Sequence, residues 1–415
     1  MYSLLFIILV FATAFERIIP VFNLWDEFLT AFVVVFVTYK SYKNNQWVEF
    51  LKKIRDDLFP FVLLIALGIL GNVVRPEIQE SVVAILKDMI AIAKFPVIMC
   101  FLRHGVHYFD TDKITKDTVK TSKVIIWVTL AAAIVGYFFD IGVYTGEIRF
   151  LNCFKFIFSH PTFLVSSYVL ILAVFFAESA EKNRWYILLD CVIIFLSQRT
   201  KGYVVIAVAL CFMFIKKEWV ETLFKKEDGK LKINRKQVFI VGILLALIVF
   251  VVGKDRIMEH MKYGMTAARP ALYMVGAMIA FEMFPLGSGL GTFASYLSGE
   301  YYSKIYDMYH ISGVYGLTPD MFNYMADTFW PYIYGQFGVF GLIIYVKMIL
   351  NIIVFQLVRL NDYHKILAFF ITWGYILFAS TAEAYFTSGT GVQMAIYLAI
   401  YLGVEKKETD GQINK

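Results

Sequence analysis

The sequence contains few charged residues and few of the residue patterns that build metal centres. Only 17% of its 415 residues are charged, whereas 59% are hydrophobic, so the chain is far more apolar than a soluble globular domain. The four cysteines are dispersed, and no HExxH, GxSxG or CxxC pattern occurs. These absences argue against a disulfide framework and a metal site, and we predict that the protein uses no cofactor.

Apolar runs of roughly 15 to 22 residues recur along the whole chain, about the length that a helix needs to cross a bilayer. Such runs must be helices in lipid because each backbone group has to be satisfied within its own segment, and a barrel would need shorter, alternating segments. The sequence therefore predicts an all-α polytopic membrane protein with about twelve transmembrane helices. Their approximate ranges are 2–15, 24–39, 58–74, 81–102, 123–145, 163–180, 186–198, 202–216, 237–252, 331–357, 365–385 and 387–403.

The net charge of +6 reflects topology and not nucleic-acid binding, because the basic residues cluster in the short loops between alternate helices. The positive-inside rule then predicts that both termini are cytoplasmic. We expect residues 1–415 to form one integral membrane domain. Residues 253–330, between helices nine and ten, are expected to form one large external loop.

Several cations fall on the predicted external side, where they contribute nothing to the topology. Arg199 and Lys201 lie in the turn between helices seven and eight, and they fit an anion such as phosphate. The alternative is that both side chains reach to lipid headgroups. Lys87 in helix four is a further candidate, because a charge at a helix centre costs roughly 2.5 to 3.5 kcal/mol and should face a polar cavity or a partner. Arg75, in the short external loop just before that helix, is another candidate. Lys94, one heptad after Lys87, is interpreted as a member of an internal ion pair.

The large loop has two features that indicate binding. Arg269 precedes Pro270, which is expected to begin a helix, and an arginine at a helix N-terminus favours an anion. Gly287, Gly289 and Gly291 follow this helix and are expected to permit a tight turn and close backbone approach to a ligand. An ordinary loop is the alternative for the glycines.

The loop also supplies possible proton acceptors and many aromatic rings. Asp327 and His310 are the candidates for a general base that accepts the proton of an attacking hydroxyl. The remaining acids are Glu282, Glu300, Asp307 and Asp320. The tyrosines suit either the membrane interface or the apolar faces of sugar rings.

Taken together, the layout and several motifs resemble the bacterial O-antigen and capsule polysaccharide polymerases of the Wzy type, which belong with the O-antigen ligases. The first motif is the turn Ser197-Gln198-Arg199-Thr200. The second is Arg269 followed by Phe284-Pro285-Leu286-Gly287-Ser288-Gly289-Leu290-Gly291-Thr292-Phe293, like the family's hPLxGxGxGxF. The third runs from Asp327-Thr328-Phe329-Trp330 into Tyr334–Gly341. The motifs cover roughly residues 190 to 345, and the rest of the chain matches by hydropathy alone.

The resemblance implies a GT-C-like fold in the bacterial inner membrane and a metal-independent glycosyltransferase. Its substrate is then an undecaprenyl-diphosphate-linked oligosaccharide, polymerised at the external face into O-antigen, capsular or exopolysaccharide. Arg199, Lys201 and Arg269, with Arg75 or Lys87, stabilise the leaving diphosphate, and Asp327 is the first choice for the base. Partners implied are membrane lipid, a chain-length regulator and a flippase.

Two other functions stay open. Ligase-like members carry a histidine near the end of the loop, where this chain has Asp327, and the nearest histidine is His310; this favours a polymerase over an O-antigen ligase. A repeat-unit flippase or other transporter is expected to have internal repeats and charges at the midplane, and no repeat is visible.

Overall fold

The computed structural model describes residues 2–147, 151–227, 230–234 and 262–402, together with the single positions 243, 250, 251, 254 and 258. The predicted ninth helix, 237–252, and the start of the large loop lie almost entirely outside the described residues. Every other predicted helical segment falls on a helix.

The described residues form fifteen α-helices, separated in places by short turns. They are α1 Tyr2–Ile18, α2 Trp25–Lys43, α3 Trp47–Val74, α4 Val82–Gly105, α5 Thr111–Phe138, α6 Pro161–Glu178, α7 Arg184–Leu196, α8 Thr200–Phe214, α9 Lys217–Leu223, α10 Ala268–Glu282, α11 Tyr296–Glu300, α12 Ile305–Met308, α13 Trp330–Arg359, α14 Tyr363–Ala379 and α15 Gly389–Tyr401. Two antiparallel hairpins, which the sequence analysis did not predict, pair β1 Tyr144–Glu147 with β2 Asn152–Phe154 and β3 Phe224–Glu227 with β4 Lys230–Ile233.

Among the described residues, five segments are long and apolar enough to cross a membrane, judged by length and composition: Val21–Lys43, Trp47–Val74, Thr111–Phe138, Pro161–Glu178 and Trp330–Arg359. Three further apolar helices are shorter. The architecture is that of an all-α membrane protein, and the total of twelve spans stays a prediction.

Helix α6 is the centre of the bundle. Its sequence is apolar all round, which is typical of a helix enclosed by others, and 83% of its most apolar stretch is buried. Its few polar side chains bond to neighbouring helices: Ser167 donates to the carbonyl of Val10 in α1 at 2.7 Å, and Ser166 pairs with the Tyr375 hydroxyl of α14 at 2.8 Å. The helices that carry the candidate site pack around this core.

Helix α4 is joined to α2 by an internal ion pair, as predicted for Lys94. Its Nζ lies 2.5 Å from Asp26 Oδ2 and 2.9 Å from Glu27 Oε1, and Lys94 is 6% exposed. The two carboxylates compensate the buried ammonium, which would otherwise be costly among apolar helices.

Helix α10 runs beside the first turns of α13 and in the same direction. The Tyr334 hydroxyl donates to the carbonyl of Tyr273 at 3.0 Å. Further along, the ring of Phe284, just after α10, lies 5.6 Å from the ring of Phe340 in α13. Pro270 is the third residue of this helix, two positions later than predicted.

The segment after α10, Pro285–Ser295, is buried between α3, α4 and α13, and we call it the glycine segment. Asn72 of α3 exchanges two hydrogen bonds with Leu290, and the amide of Gly291 donates to the Asp88 carboxylate of α4 at 3.0 Å. Gln336 of α13 donates to the carbonyl of Phe293 at 2.7 Å. These polar side chains satisfy backbone groups that burial removes from solvent.

Candidate functional site

The turn between α7 and α8 presents Arg199 at the N-cap of α8. Helix α7 stops because Gln198 adopts a positive φ of 55°, and the Ser197 hydroxyl donates to the carbonyl of Ile194 at 2.6 Å. Lys201 follows within the first turn of α8. Both cations are therefore fixed by the short connection that the sequence analysis singled out.

Lys201 is half-buried and contacts a carboxylate from a distant part of the chain. Its Nζ donates to Glu383 Oε1 in the connection between α14 and α15. Burial of the amine, and then the charges of Arg269 and Arg199, lower the pKa of Lys201 to about 7, while the charge of Asp327 opposes this shift. Lys201 thus lies at the meeting point of three chain segments.

Arg269, the second residue of α10, completes the group. Its Nη2 lies 3.0 Å from Asp327 Oδ2, and its Nε is buried without a hydrogen-bond acceptor. A guanidinium with an unmatched buried donor is poised for a further anionic partner. We call Arg199, Lys201, Arg269, Asp327, Glu383 and His160 the cationic site.

The two connections that carry the carboxylates are bonded to each other. The amide of Ala384 donates to the carbonyl of Ala326 at 3.0 Å, and that of Phe329 donates to the carbonyl of Ser380 at 3.1 Å. Trp330 Nε1 donates to the Ser380 hydroxyl at 3.0 Å. These bonds hold the connections that carry Asp327 and Glu383 beside each other.

His160 belongs to the cationic site and was missed by the sequence analysis. Its Nε2 lies 2.8 Å from Arg199 Nη2. A guanidinium can only donate, so Nε2 accepts and the ring is neutral. Partial burial of the ring, and then the charges of Arg199 and Lys201, lower the pKa of His160 to about 4. The available signal was the pair His160-Pro161, because proline opens an apolar helix there.

Glu383 was also missed, since the predicted segment 365–385 ran past it. Helix α14 ends at Ala379, so Glu383 lies in a connection and not in a helix.

Burial sets the acidity of Asp327. Burial raises the pKa of this carboxyl, and the nearby charges of Arg269 and Lys201 offset part of that effect. A carboxylate with a raised pKa is a better proton acceptor near neutral pH than an exposed one.

Arg75 and His310 lie near the opposite end of α10. Arg75 Nη1 is 3.3 Å from the carbonyl of Gly287, which follows α10, whereas Arg269 begins it. Fifteen residues of helix rise about 22 Å, so these two arginines are well separated. His310 is exposed and follows Tyr309, whose hydroxyl donates to Glu282 Oε2 at 2.8 Å, again at the far end of α10.

Lys87 also lies outside the cationic site. It is exposed, and its Nζ donates to the Tyr301 hydroxyl at 3.1 Å and lies 3.5 Å from Glu300 Oε2. Among the predicted binding cations, the structure gathers Arg199, Lys201 and Arg269 and leaves Arg75 and Lys87 elsewhere.

Gly287, Gly289 and Gly291 make close approaches, but to the protein itself. All three are buried with positive φ. A Cβ on Gly287 would lie 2.5 Å from the backbone nitrogen of Gly338, and one on Gly289 would lie 2.7 Å from that of Asn72. The space expected for a ligand at these positions is filled by α3, α4 and α13, because the glycine segment folds inward between them.

The cationic site combines three basic side chains with two carboxylates and a neutral histidine; Arg199 and Arg269 are permanently charged, whereas the pKa of Lys201 is about 7. Within the described ranges no group of three or more His, Cys, Asp or Glu is arranged to hold a metal ion. The arrangement can bind an anion and can accept a proton beside it.

No family model matches the chain, and no curated protein or solved structure matches it either. The fold and site together define the class as an all-α membrane protein with a half-buried cationic site at the ends of its helices.

Proposed function

We propose that the protein is a glycosyltransferase that joins undecaprenyl-diphosphate-linked oligosaccharide repeat units into a polysaccharide. The observation that carries the proposal is the convergence of Arg199, Lys201 and Arg269 from two regions of the chain about 70 residues apart. Anion recognition by paired guanidinium groups is the chemistry that a lipid diphosphate requires.

The reaction in this proposal needs charge stabilisation more than any other contribution. A hydroxyl of one repeat unit attacks the anomeric carbon of a second glycan, and the bond from that carbon to the diphosphate oxygen breaks. The electron pair leaves with the lipid diphosphate, and fixed cations stabilise the developing negative charge. Losing one such preorganised donor costs on the order of 10² to 10³ in rate.

The proton of the attacking hydroxyl goes to Asp327 in this scheme. Arg269 pairs with Asp327. An incoming diphosphate competes for the same guanidinium, so substrate binding frees the carboxylate at the moment when a base is needed. The raised pKa of Asp327 supports this role.

The remaining features of the proposal concern the setting of the site. We place the cationic site at the external face of a bacterial inner membrane, with both termini cytoplasmic and a GT-C-like arrangement of about twelve spans. The apolar helices support a membrane location, and the positive-inside pattern supports the orientation.

The test uses purified protein with lipid-linked repeat units as the only substrate. Formation of a ladder of longer products is expected from the wild type and is expected to be lost with Arg199→Ala and Arg269→Ala. Arg55→Ala is the matched control, because Arg55 is exposed and bonds only to its neighbour Asp56 in the described structure. A ladder from both site variants at the wild-type rate would refute the assignment of the site.

Two outcomes separate the rivals. Transfer only to a different acceptor, with no ladder, identifies a ligase, and movement of the intact lipid-linked unit across vesicles without any product identifies a transporter.

A further inference from the structure

Glu383 reaches the cationic site from a distant part of the chain and makes one charged contact there. Its Oε1 accepts a hydrogen bond from the Lys201 amine, although the two residues are 182 positions apart. The side chain of Lys201 is 15% exposed and that of Glu383 is 23% exposed, so the pair is largely shielded from water. Among the described residues, Glu383 forms no other ion pair. A contact between opposite charges is stronger in such a setting than at an open surface.

The surroundings of Lys201 disfavour an ammonium group. Burial, and then the charges of Arg269 and Arg199, lower the pKa of Lys201 to about 7. Lys201 is also the second residue of α8, where the free N–H groups of the first helical turn carry partial positive charge. The amine therefore depends on nearby carboxylates to stay charged.

Two carboxylates lie near Lys201, and they are not equivalent. Asp327 Oδ2 accepts a hydrogen bond from Arg269 Nη2 at 3.0 Å, so its charge is shared with a guanidinium. Glu383 contacts the amine itself, and the nearest opposite charge favours the charged form most. The charged and titratable side chains around Lys201 are Arg199, His160, Arg269, Asp327 and Glu383.

The backbone that carries Glu383 is held in place on both sides. The next amide along the chain, that of Ala384, donates to the carbonyl of Ala326 at 3.0 Å. Three residues after Glu383, the ring of Phe386 packs against the ring of Phe329 with centroids 4.8 Å apart. The carboxylate is thus anchored beside the amine by packing that does not involve its own charge.

A pKa of about 7 makes the charge of Lys201 sensitive to its neighbours. An amine with that pKa is only partly protonated at neutral pH, so losing the carboxylate in contact with it removes much of the remaining charge. Conversely, an anion that binds beside the amine favours the ammonium form, and binding then takes up a proton. Arg199 and Arg269 cannot respond in this way, because a guanidinium stays charged.

We propose that Glu383 is a positioning residue that keeps Lys201 in its ammonium form at neutral pH, so that the cationic site presents three positive charges to a diphosphate. The diphosphate then replaces Glu383 as the partner of Lys201 and keeps the amine charged. The identity of the natural anion rests on the proposed function, whereas the effect of Glu383 on diphosphate binding does not depend on glycosyl transfer.

Binding of inorganic pyrophosphate to the full chain in detergent, measured by calorimetry at a series of pH values, tests the proposal. The reference is Lys201→Arg, whose guanidinium stays charged at every pH used. The ratio of the two dissociation constants therefore cancels the titration of pyrophosphate itself. The wild type is expected to match Lys201→Arg at acid pH and to bind at least about ten-fold more weakly at alkaline pH, because one charged contact is lost. The midpoint is expected near the Lys201 pKa of about 7.

Glu383→Gln separates the charge of the carboxylate from its packing. The midpoint is expected to move to lower pH by at least about one unit, the smallest shift that an adjacent opposite charge produces. Affinity at acid pH is expected to be equal or higher, because a competing carboxylate is gone, whereas damage to the fold would weaken binding at every pH. Adding Lys201→Arg to Glu383→Gln is expected to restore tight binding at neutral pH.

The control variant is Glu80→Gln, which removes the carboxylate of an exposed ion pair with Lys304 and is expected to leave the midpoint unchanged. A second variant, Glu383→Asp, draws the charge back from the amine. It is expected to shift the midpoint in the same direction by a smaller amount, and it replaces Glu383→Gln if that protein does not fold.

Three results would overturn the proposal. They are a midpoint that does not move in either Glu383 variant, a double variant that binds no better than Glu383→Gln, and a wild-type ratio that stays constant with pH. Failure of the ladder assay together with a shifted midpoint refutes the glycosyltransferase and leaves the role of Glu383 standing.

Discussion

The Arg269 guanidinium lies 3.0 Å from the Asp327 carboxylate and thereby ties the start of α10 to the residues that precede α13. In the proposed reaction these two groups have different tasks, one for the diphosphate and one for the proton. Their pairing makes the two tasks dependent on each other.

A double-mutant cycle measures that dependence. Arg269→Gln is expected to slow ladder formation by about 10² to 10³, and Asp327→Asn by about 10² to 10⁴ because a general base is lost. The fold-loss in rate of the double variant is expected to be much smaller than the product of the two single fold-losses, since the effects of groups that act as a unit are not additive. Initial rates at saturating substrate measure the cycle. The control is Lys304→Gln in the large loop, which removes an exposed ion pair with Glu80 and is expected to retain the wild-type rate. Strictly multiplicative losses contradict the coupling.

The pH profile identifies the base. Asp327 must be ionised to accept a proton, so the rate falls as the pH drops through its pKa. Burial raises this pKa, and Arg269 and Lys201 lower it. Arg269→Gln removes one opposing charge, so the acid limb of the kcat profile is expected to move to higher pH, whereas Arg269→Lys is expected to leave it nearly in place. An acid limb that persists in Asp327→Asn assigns the base elsewhere.

His160 reports on the charge of Arg199. Its pKa of about 4 results from partial burial and then from the charges of Arg199 and Lys201. Arg199→Gln removes a positive charge that disfavours the imidazolium, so the pKa of His160 is expected to rise toward the ordinary value near 6.5. An NMR titration of labelled histidine, assigned with His160→Asn, measures the change. An unchanged pKa would show that Arg199 does not contact the ring in solution.

Substitutions of glycine in the large loop distinguish a packing role of the glycine segment from contact with a ligand. Gly287→Ala introduces a Cβ 2.5 Å from a backbone nitrogen at a φ of 73°. The expected loss is about 2 to 5 kcal/mol, from the positive φ and from overpacking. Gly313→Ala, in the same loop with open space around it, is expected to stay within about 1 kcal/mol of the wild type. Thermal unfolding in detergent measures both; a stable Gly287→Ala protein with weakened substrate binding favours ligand contact.

The helices were predictable because bilayer thickness imposes a length on every apolar run. The same argument could not reveal the glycine segment, since Gly287, Gly289 and Gly291 read as an exposed loop unless the facing surface of α3 is known. No sequence pattern indicated Asn72 and Asp88 either, because each accepts a hydrogen bond from a backbone amide more than 200 residues away.

The candidate site was predictable in part. Arg199 and Lys201 stood out because the predicted topology puts them on the side where cations are not required, and Arg269 stood out because it precedes Pro270 at a predicted helix N-terminus. His160 and Glu383 did not, since a single polar residue at a helix end has many ordinary explanations. Their place in the site depends on long-range packing of α6 and α14, which no local pattern encodes.

The ion pair between Lys94 and Asp26 also constrains how the protein is made. Helix α4 is not among the helices whose composition alone suits a bilayer, and an unpaired lysine near a helix centre costs roughly 2.5 to 3.5 kcal/mol on insertion. Asp26 is synthesised 68 residues earlier. We therefore expect α2 to wait beside the insertion machinery until α4 arrives, so that the two helices enter the bilayer with the buried lysine already paired and the order of assembly is set by charge.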